Sequence, residues 1–195
     1  ASTEHLPVLR PTCFDFGDDP QTWHDNDEMM VGADLLVAPV FEPGARKRSV
    51  YLPRSAHGWF DWWSGAHHNG GQTIEVTAPL HRLPLFVRGG ALVPVADNPH
   101  DQARTEEPSR ALLWYPGRSG DDAALLYEDD GLHHAAASDR HVLHRFAAVH
   151  ATRLSLALTS DGTWPLPYKQ IRVVLPRGET RKVELASDSV TLVVA

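Results

Sequence analysis

Thr73-Ile74-Glu75-Val76-Thr77 alternates polar and apolar side chains without a break. Successive side chains of a strand point to opposite faces, so Ile74 and Val76 share one face and the polar residues the other. That pattern predicts a half-exposed strand lying on a core. The same reading works outward. Ser49-Val50-Tyr51-Leu52 is a predicted strand stopped by Pro53. Trp59-Phe60-Asp61-Trp62-Trp63 is an aromatic strand stopped by Ser64-Gly65, in which Trp59 and Trp63 share one face. Residues 83–95 hold two apolar stretches around Gly89-Gly90. Strands and turns at this spacing predict a β-sandwich or a small barrel.

The C-terminal half reads the same way. Residues 111–115, 123–127 and 153–159 are predicted strands, the last turned by Ser160-Asp161-Gly162. Residues 170–175, 181–185 and 190–194 continue as a meander. Residues 133–145 contain neither Gly nor Pro, so a short helix and a strand both stay open. Residues 98–110, with Asn98-Pro99 and Glu106-Glu107-Pro108, read as a polar linker. At the N-terminus, Leu6-Pro7-Val8-Leu9 suggests a short buried strand. Gly17-Asp18-Asp19-Pro20 is a turn. Asn26 or Asp27 is placed to cap a short helix through Glu28-Met29-Met30, ended by Gly32. Leu35-Leu36-Val37-Ala38-Pro39-Val40 reads as a fully buried strand. No repeat, heptad or low-complexity tract interrupts the pattern.

Composition sets the class. A chain of 195 residues allows one or two domains and a sizeable core. Its residues are 42 % apolar and 22 % charged, as in an ordinary globular protein. The formal net charge of −7 opposes nucleic-acid binding, which needs a basic face. No apolar run approaches the roughly 18 residues that span a bilayer. Cys13 is the single cysteine, so neither an internal disulfide nor a cysteine zinc cluster can form. No leader is visible, which with the single cysteine favours the cytoplasm and leaves the compartment open.

Four groups are chemical candidates. Asp15, Asp18 and Asp19 could supply an acid/base pair, although acidic turn residues serve backbone hydrogen bonding. Glu128, Asp129 and Asp130 precede Gly131 and could offer hard oxygen ligands to Ca²⁺. They lack the spacing of an EF-hand loop, and a solvated hairpin turn is the competing reading. His67-His68 and His133-His134 are adjacent pairs, which a strand splits between its two faces, so neither chelates easily. Trp59, Trp62 and Trp63 could stack on sugar rings, but at least one face of that strand should be core. No nucleophile elbow and no phosphate loop is present.

The motifs together resemble glycoside hydrolase family 31. Arg10-Pro11, Phe14-Asp15-Phe16-Gly17-Asp18-Asp19-Pro20 and Gly32-Ala33-Asp34-Leu35-Leu36-Val37-Ala38-Pro39-Val40 are similar to the end of its catalytic (β/α)8 barrel. Val50-Tyr51-Leu52-Pro53, the Trp59–Gly65 stretch and residues 78–90 resemble the β-domain that follows. Leu126-Tyr127-Glu128-Asp129-Asp130-Gly131 resembles the start of a more distal one. The resemblance covers about residues 6–135 in matching order. Thr12-Cys13 replaces a usual apolar pair, and Gly17 stands where Pro is common.

The resemblance implies a mostly β architecture of β-sandwich domains with a short N-terminal remnant of a barrel end. Residues 1–36 would be the barrel remnant, 37–97 a proximal C-terminal β-domain and 98–195 a distal β-sandwich. It implies retaining hydrolysis of α-glycosides, which uses two carboxyl groups roughly 5–5.5 Å apart. In this family both are aspartates on earlier barrel strands, and a barrel alone takes about 250 residues. The chain is therefore expected to be non-catalytic and to brace that barrel. No cofactor, membrane or nucleic-acid partner is expected. The α-glycoside substrate would be met through the missing barrel, and the isolated chain would self-associate through the surface the barrel had covered. A stand-alone carbohydrate-binding or protein-interaction module is the alternative.

Overall fold

A computed structural model describes residues 5–24, 27–96, 110–117, 120–129, 141–150, 154–162, 170–176, 180–184 and 189–194. The chain divides into two compact units, Ala1–Gly89 and Gly90–Ala195.

The first unit contains strands β1 (Leu9–Pro11), β2 (Met29–Val31), β3 (Leu35–Val37), β4 (Lys47–Leu52), β5 (Trp59–Asp61), β6 (His67–His68), β7 (Gln72–Thr77) and β8 (Leu85–Arg88). Six of them form an antiparallel sheet in the order β1-β2-β3-β8-β5-β6. The other two, β4 and β7, form an antiparallel ribbon with Val50 opposite Ile74. The alternation in the ribbon decides the packing. Val50 and Leu52 are fully buried, and Ile74 and Val76 pack on the same cluster from β7. They meet Met30, Leu36, Trp59 and Phe86 from the larger sheet, together with Phe16 and Ala38. Burying each large apolar side chain contributes about 1.5–3 kcal/mol before chain entropy is subtracted, and this cluster holds the unit together.

The second unit is one eight-stranded sheet. Its strands are β9 (Ala91–Ala96), β10 (Arg110–Tyr115), β11 (Gly120–Asp129), β12 (His141–His150), β13 (Leu154–Gly162), β14 (Gln170–Val174), β15 (Thr180–Glu184) and β16 (Ser189–Val194). Their spatial order is β15-β14-β10-β9-β11-β12-β13-β16. Two pairings, β10 with β14 and β9 with β11, are parallel. Leu92, Leu112, Trp114, Ile171 and Val173 are buried there. The Trp114 indole donates to the buried Asp122 carboxylate at 2.8 Å, so both polar atoms are satisfied.

Several local expectations are corrected. Glu28-Met29-Met30 is not helical, because Met29–Val31 pairs with strands on both sides and buries Met30 completely. One isolated turn of helix cannot compete with two ladders. Gly32, at φ +64°, turns β2 into β3. The run at residues 6–9 is exposed, and the adjoining strand Leu9–Pro11 buries only Arg10. In β3 only Leu36 is fully buried. The aromatic strand stops at Asp61, so strand alternation does not put Trp59 and Trp63 on one face. Ser160, Asp161 and Gly162 continue β13 against β12. The last strands do not form a meander, since β14 joins β10 and β16 joins β13. Residues 141–145 belong to β12, whereas 133–140 lie outside the described residues.

Sheet pairing runs across the boundary expected at residues 36 and 37, since β2 pairs with β3. Residues 91–96, grouped by sequence with 37–97, pair with β10.

Candidate functional site

The acidic N-terminal turn is a knot of structural bonds. A single helical turn, α1 (Thr12–Asp15), follows β1, and a 3-10 turn (Pro20–Trp23) follows Asp19. Arg10 Nε donates to Asp15 Oδ2 at 2.6 Å, with both side chains largely buried. This ion pair explains why β1 can turn an arginine inward. Asp19 is buried and accepts from the Tyr51 hydroxyl at 2.7 Å, the Arg54 N–H at 2.8 Å and the Gln21 N–H at 3.3 Å. Burial raises the Asp19 carboxyl, but these bonds and the Arg54 charge outweigh it and hold it below the ordinary 3.8. The Tyr51 phenol responds in the opposite sense. Burial, the bond to Asp19 and that carboxylate's charge push it up to about 12. Asp18 is exposed. Asp15 and Asp19 are thus occupied by partners, and neither is poised to trade a proton with a substrate.

Asp34 behaves differently. Burial raises its carboxyl, and the charge of Asp15 adds to this, while Arg88 and Arg10 pull it back. Arg88 also lies over the Phe16 ring at 5.3 Å, and its backbone N–H donates to the Asp34 carbonyl at 2.8 Å. Sequence reading missed this group of Arg10, Asp15, Asp34 and Arg88. The one available signal was a lone Arg10 inside an apolar N-terminal run.

The three candidate tryptophans are separated by burial. Trp59 is fully buried, donates from Nε1 to the Pro53 carbonyl at 2.8 Å and packs on Phe16 with ring centroids 5.6 Å apart. Trp62 is half-buried, and its N–H donates to the Leu85 carbonyl at 3.0 Å. Trp63 is 47 % exposed. Its indole donates to the Leu83 carbonyl at 2.7 Å, and Arg82 lies over its ring at 5.6 Å. Asp61 Oδ1 organises the turn by accepting from the Trp63 and Ser64 N–H groups and the Ser64 hydroxyl.

The metal candidates do not converge among the described residues. Glu128 accepts two bonds from Arg110, at 2.7 and 3.2 Å, which commits its carboxylate to a bidentate ion pair. Asp129 ends β11, and Asp130 lies outside the described residues. His67 faces solvent with Nε2 2.8 Å from the His57 carbonyl oxygen, and His68 lies edge-on to Phe86. His133 and His134 lie outside the described residues. No group of three or more His, Cys, Asp or Glu side chains gathers among the described residues.

An antiparallel sheet with a β-ribbon packed on it, followed by a unit built on one eight-stranded sheet, defines a class: a β-sheet protein whose acidic turn is bonded internally. Comparison with known proteins gives the family. Residues 5–93 match the glycosyl hydrolase family 31 C-terminal domain. Alpha-glucosidase 2 of Bacillus thermoamyloliquefaciens is 34 % identical over 125 residues, which is 64 % of this chain and 16 % of that one. The alpha-xylosidase of Saccharolobus solfataricus is also 34 % identical over 125 residues, or 64 % of this chain and 17 % of that one. The crystal structure of the GH31 alpha-xylosidase from Xanthomonas citri superposes with a TM-score of 0.84 at 28 % identity, covering 97 % of this chain and 22 % of that one. Residues 5–93 are thus a C-terminal β-domain of glycosyl hydrolase family 31, and the chain as a whole is similar in fold to a region of a family 31 enzyme. It spans about a sixth of the length of the two relatives compared.

Proposed function

We propose that these 195 residues brace the catalytic barrel of a retaining α-glycosidase, and that the two reacting carboxyl groups lie on that barrel, outside this chain. The observation carrying this reading is the match of residues 5–93 to the family's C-terminal domain, with relatives named for hydrolysis of α-glucosides and α-xylosides. Two features of the first unit support it. The carboxylates of the N-terminal turn are engaged by Arg10, Tyr51 and Arg54. The same segment leaves Val8, Leu9, Phe14 and Trp23 largely exposed, an apolar surface of the kind a neighbouring domain covers.

The test compares this chain with the full-length enzyme on aryl α-glucosides and aryl α-xylosides. Turnover by the full-length enzyme and none by the chain is the expected result. Turnover by the highly purified chain, or none by the full-length enzyme on any α-glycoside, would overturn the reading.

A further inference from the structure

We propose that a cleft beside Phe41 binds a short oligosaccharide. The cleft is open to solvent and holds about 380 Å³, within the roughly 300–1,000 Å³ of small-molecule sites. It lies wholly in the first unit, lined in part by Asp27, Phe41, Glu42, Lys47, Arg48 and Glu75.

The chemistry of the lining selects the ligand. Three carboxylates face two cations, so neither an anion nor a metal ion is favoured. A neutral polyol uses both kinds of group, because each hydroxyl donates to a carboxylate and accepts from an ammonium or guanidinium. The Phe41 ring is 64 % exposed at the wall of the cleft. A flat apolar ring of this sort covers the C–H face of a pyranose.

The donors are held in place. Arg48 gives one N–H to the Ser49 carbonyl, one to the Pro39 carbonyl and one to Glu28 at 2.8 Å. A guanidinium has five N–H groups, so two remain. Behind Arg48, the Glu28 carboxylate is 96 % buried, and its Oε2 has no hydrogen-bond partner. The buried ion pair with Glu28 holds the Arg48 side chain in place on the cleft lining. Lys47 and Glu75 bond to each other at 2.8 Å across the β4–β7 ribbon, setting a donor and an acceptor side by side. The side chains of Asp27 and Glu42 have no partner among the described residues and are free to accept.

The cleft itself argues for a saccharide. That its glycosidic links are α rests on the function proposed above. The experiment is titration calorimetry of this chain with maltotriose, isomaltotriose and cellotriose, repeated on Phe41→Ala and Glu42→Gln. Saturable binding of an α-linked trisaccharide is expected, weakened at least tenfold by Phe41→Ala and severalfold by Glu42→Gln. Both side chains are at the surface, and thermal melts confirm that the variants fold. Absence of saturable binding to all three sugars, or equal binding by wild type and Phe41→Ala, overturns the site. Cellotriose binding as tightly as maltotriose and isomaltotriose overturns the α-linked assignment. Neither result depends on turnover by the full-length enzyme, so failure of the cleft and failure of the glycosidase reading are told apart.

Discussion

The Tyr51 hydroxyl donates to the Asp19 carboxylate at 2.7 Å, tying the ribbon to an acidic turn 32 residues earlier. A hydrogen bond to a charged group contributes about 1.5–3 kcal/mol, and its loss leaves a buried oxygen short of a donor. Tyr51→Phe is therefore expected to lower unfolding stability by about that amount in urea. A loss under about 0.5 kcal/mol would show that the bond adds nothing net.

The same pair sets two pH limits. Asp19 sits below its ordinary 3.8, so its contribution is full above that value and is lost as pH falls through the folded value. Tyr51 is raised from 10 to about 12, so its contribution is full below pH 10 and is lost as pH rises toward 12. Ultraviolet titration should show one of the four tyrosines ionising near 12 in the folded chain. Asp19→Asn should flatten the acid limb of the stability profile. An unchanged acid limb would remove Asp19 as its source.

Asp34 predicts the reverse sign. Its folded pKa is raised, so the folded state favours the proton and stability falls as pH rises from 3.8 through the folded value. Asp34→Asn mimics the protonated acid and should raise the melting temperature at pH 7. The gain should vanish below pH 3.8. A variant less stable at pH 7 would mean that attraction to Arg88 outweighs burial.

Two left-handed glycines separate strain from crowding. Gly44, at φ +82°, has open space where a Cβ would stand, so Gly44→Ala should cost about 1 kcal/mol from conformation alone. Gly58, at φ +71°, would place that Cβ 2.4 Å from the His68 carbonyl oxygen. Gly58→Ala should therefore cost about 3 kcal/mol or more, because backbone must move. Equal losses at the two sites would contradict the close approach of Gly58 to β6.

We further propose that the isolated chain self-associates through its N-terminal apolar residues. Leu9 is 60 % and Trp23 66 % exposed. Sedimentation velocity at micromolar concentration should show dimers or larger species that Leu9→Gln with Trp23→Gln suppresses. A monomer throughout that range would count against it.

What could be read in the sequence was what alternation records. Ile74 and Val76 declared their buried face, and Val50 and Leu52 matched it, because a strand's polarity is written two residues at a time. Met29 and Met30 carry no such pattern over three residues, and their state was decided by β1 and β3, which pair with them on either side. The long-range ion pairs were invisible for a related reason. Glu28 and Arg48 lie twenty positions apart and each alone looks like a solvated charge. Asp19 resembled an ordinary turn aspartate until Tyr51 was placed beside it. Trp63 and Trp59 looked equivalent because nothing local announces that Asp61 ends the strand by accepting from its followers.

The parallel pairing of β10 with β14 matches Arg110 to Ile171, leaving a span of 61 positions to be closed before a single ladder bond forms. Neighbouring hairpins such as β2–β3 close over a few residues. Loop entropy must be overcome before non-local contacts give anything back, and rates fall as contact order rises. The β10–β14 ladder should then form later than the β2–β3 hairpin, with Trp114 reaching its buried environment late. During that interval β14 and β10 present unsatisfied edges, which makes aggregation on dilution from denaturant a kinetic property of this one connection.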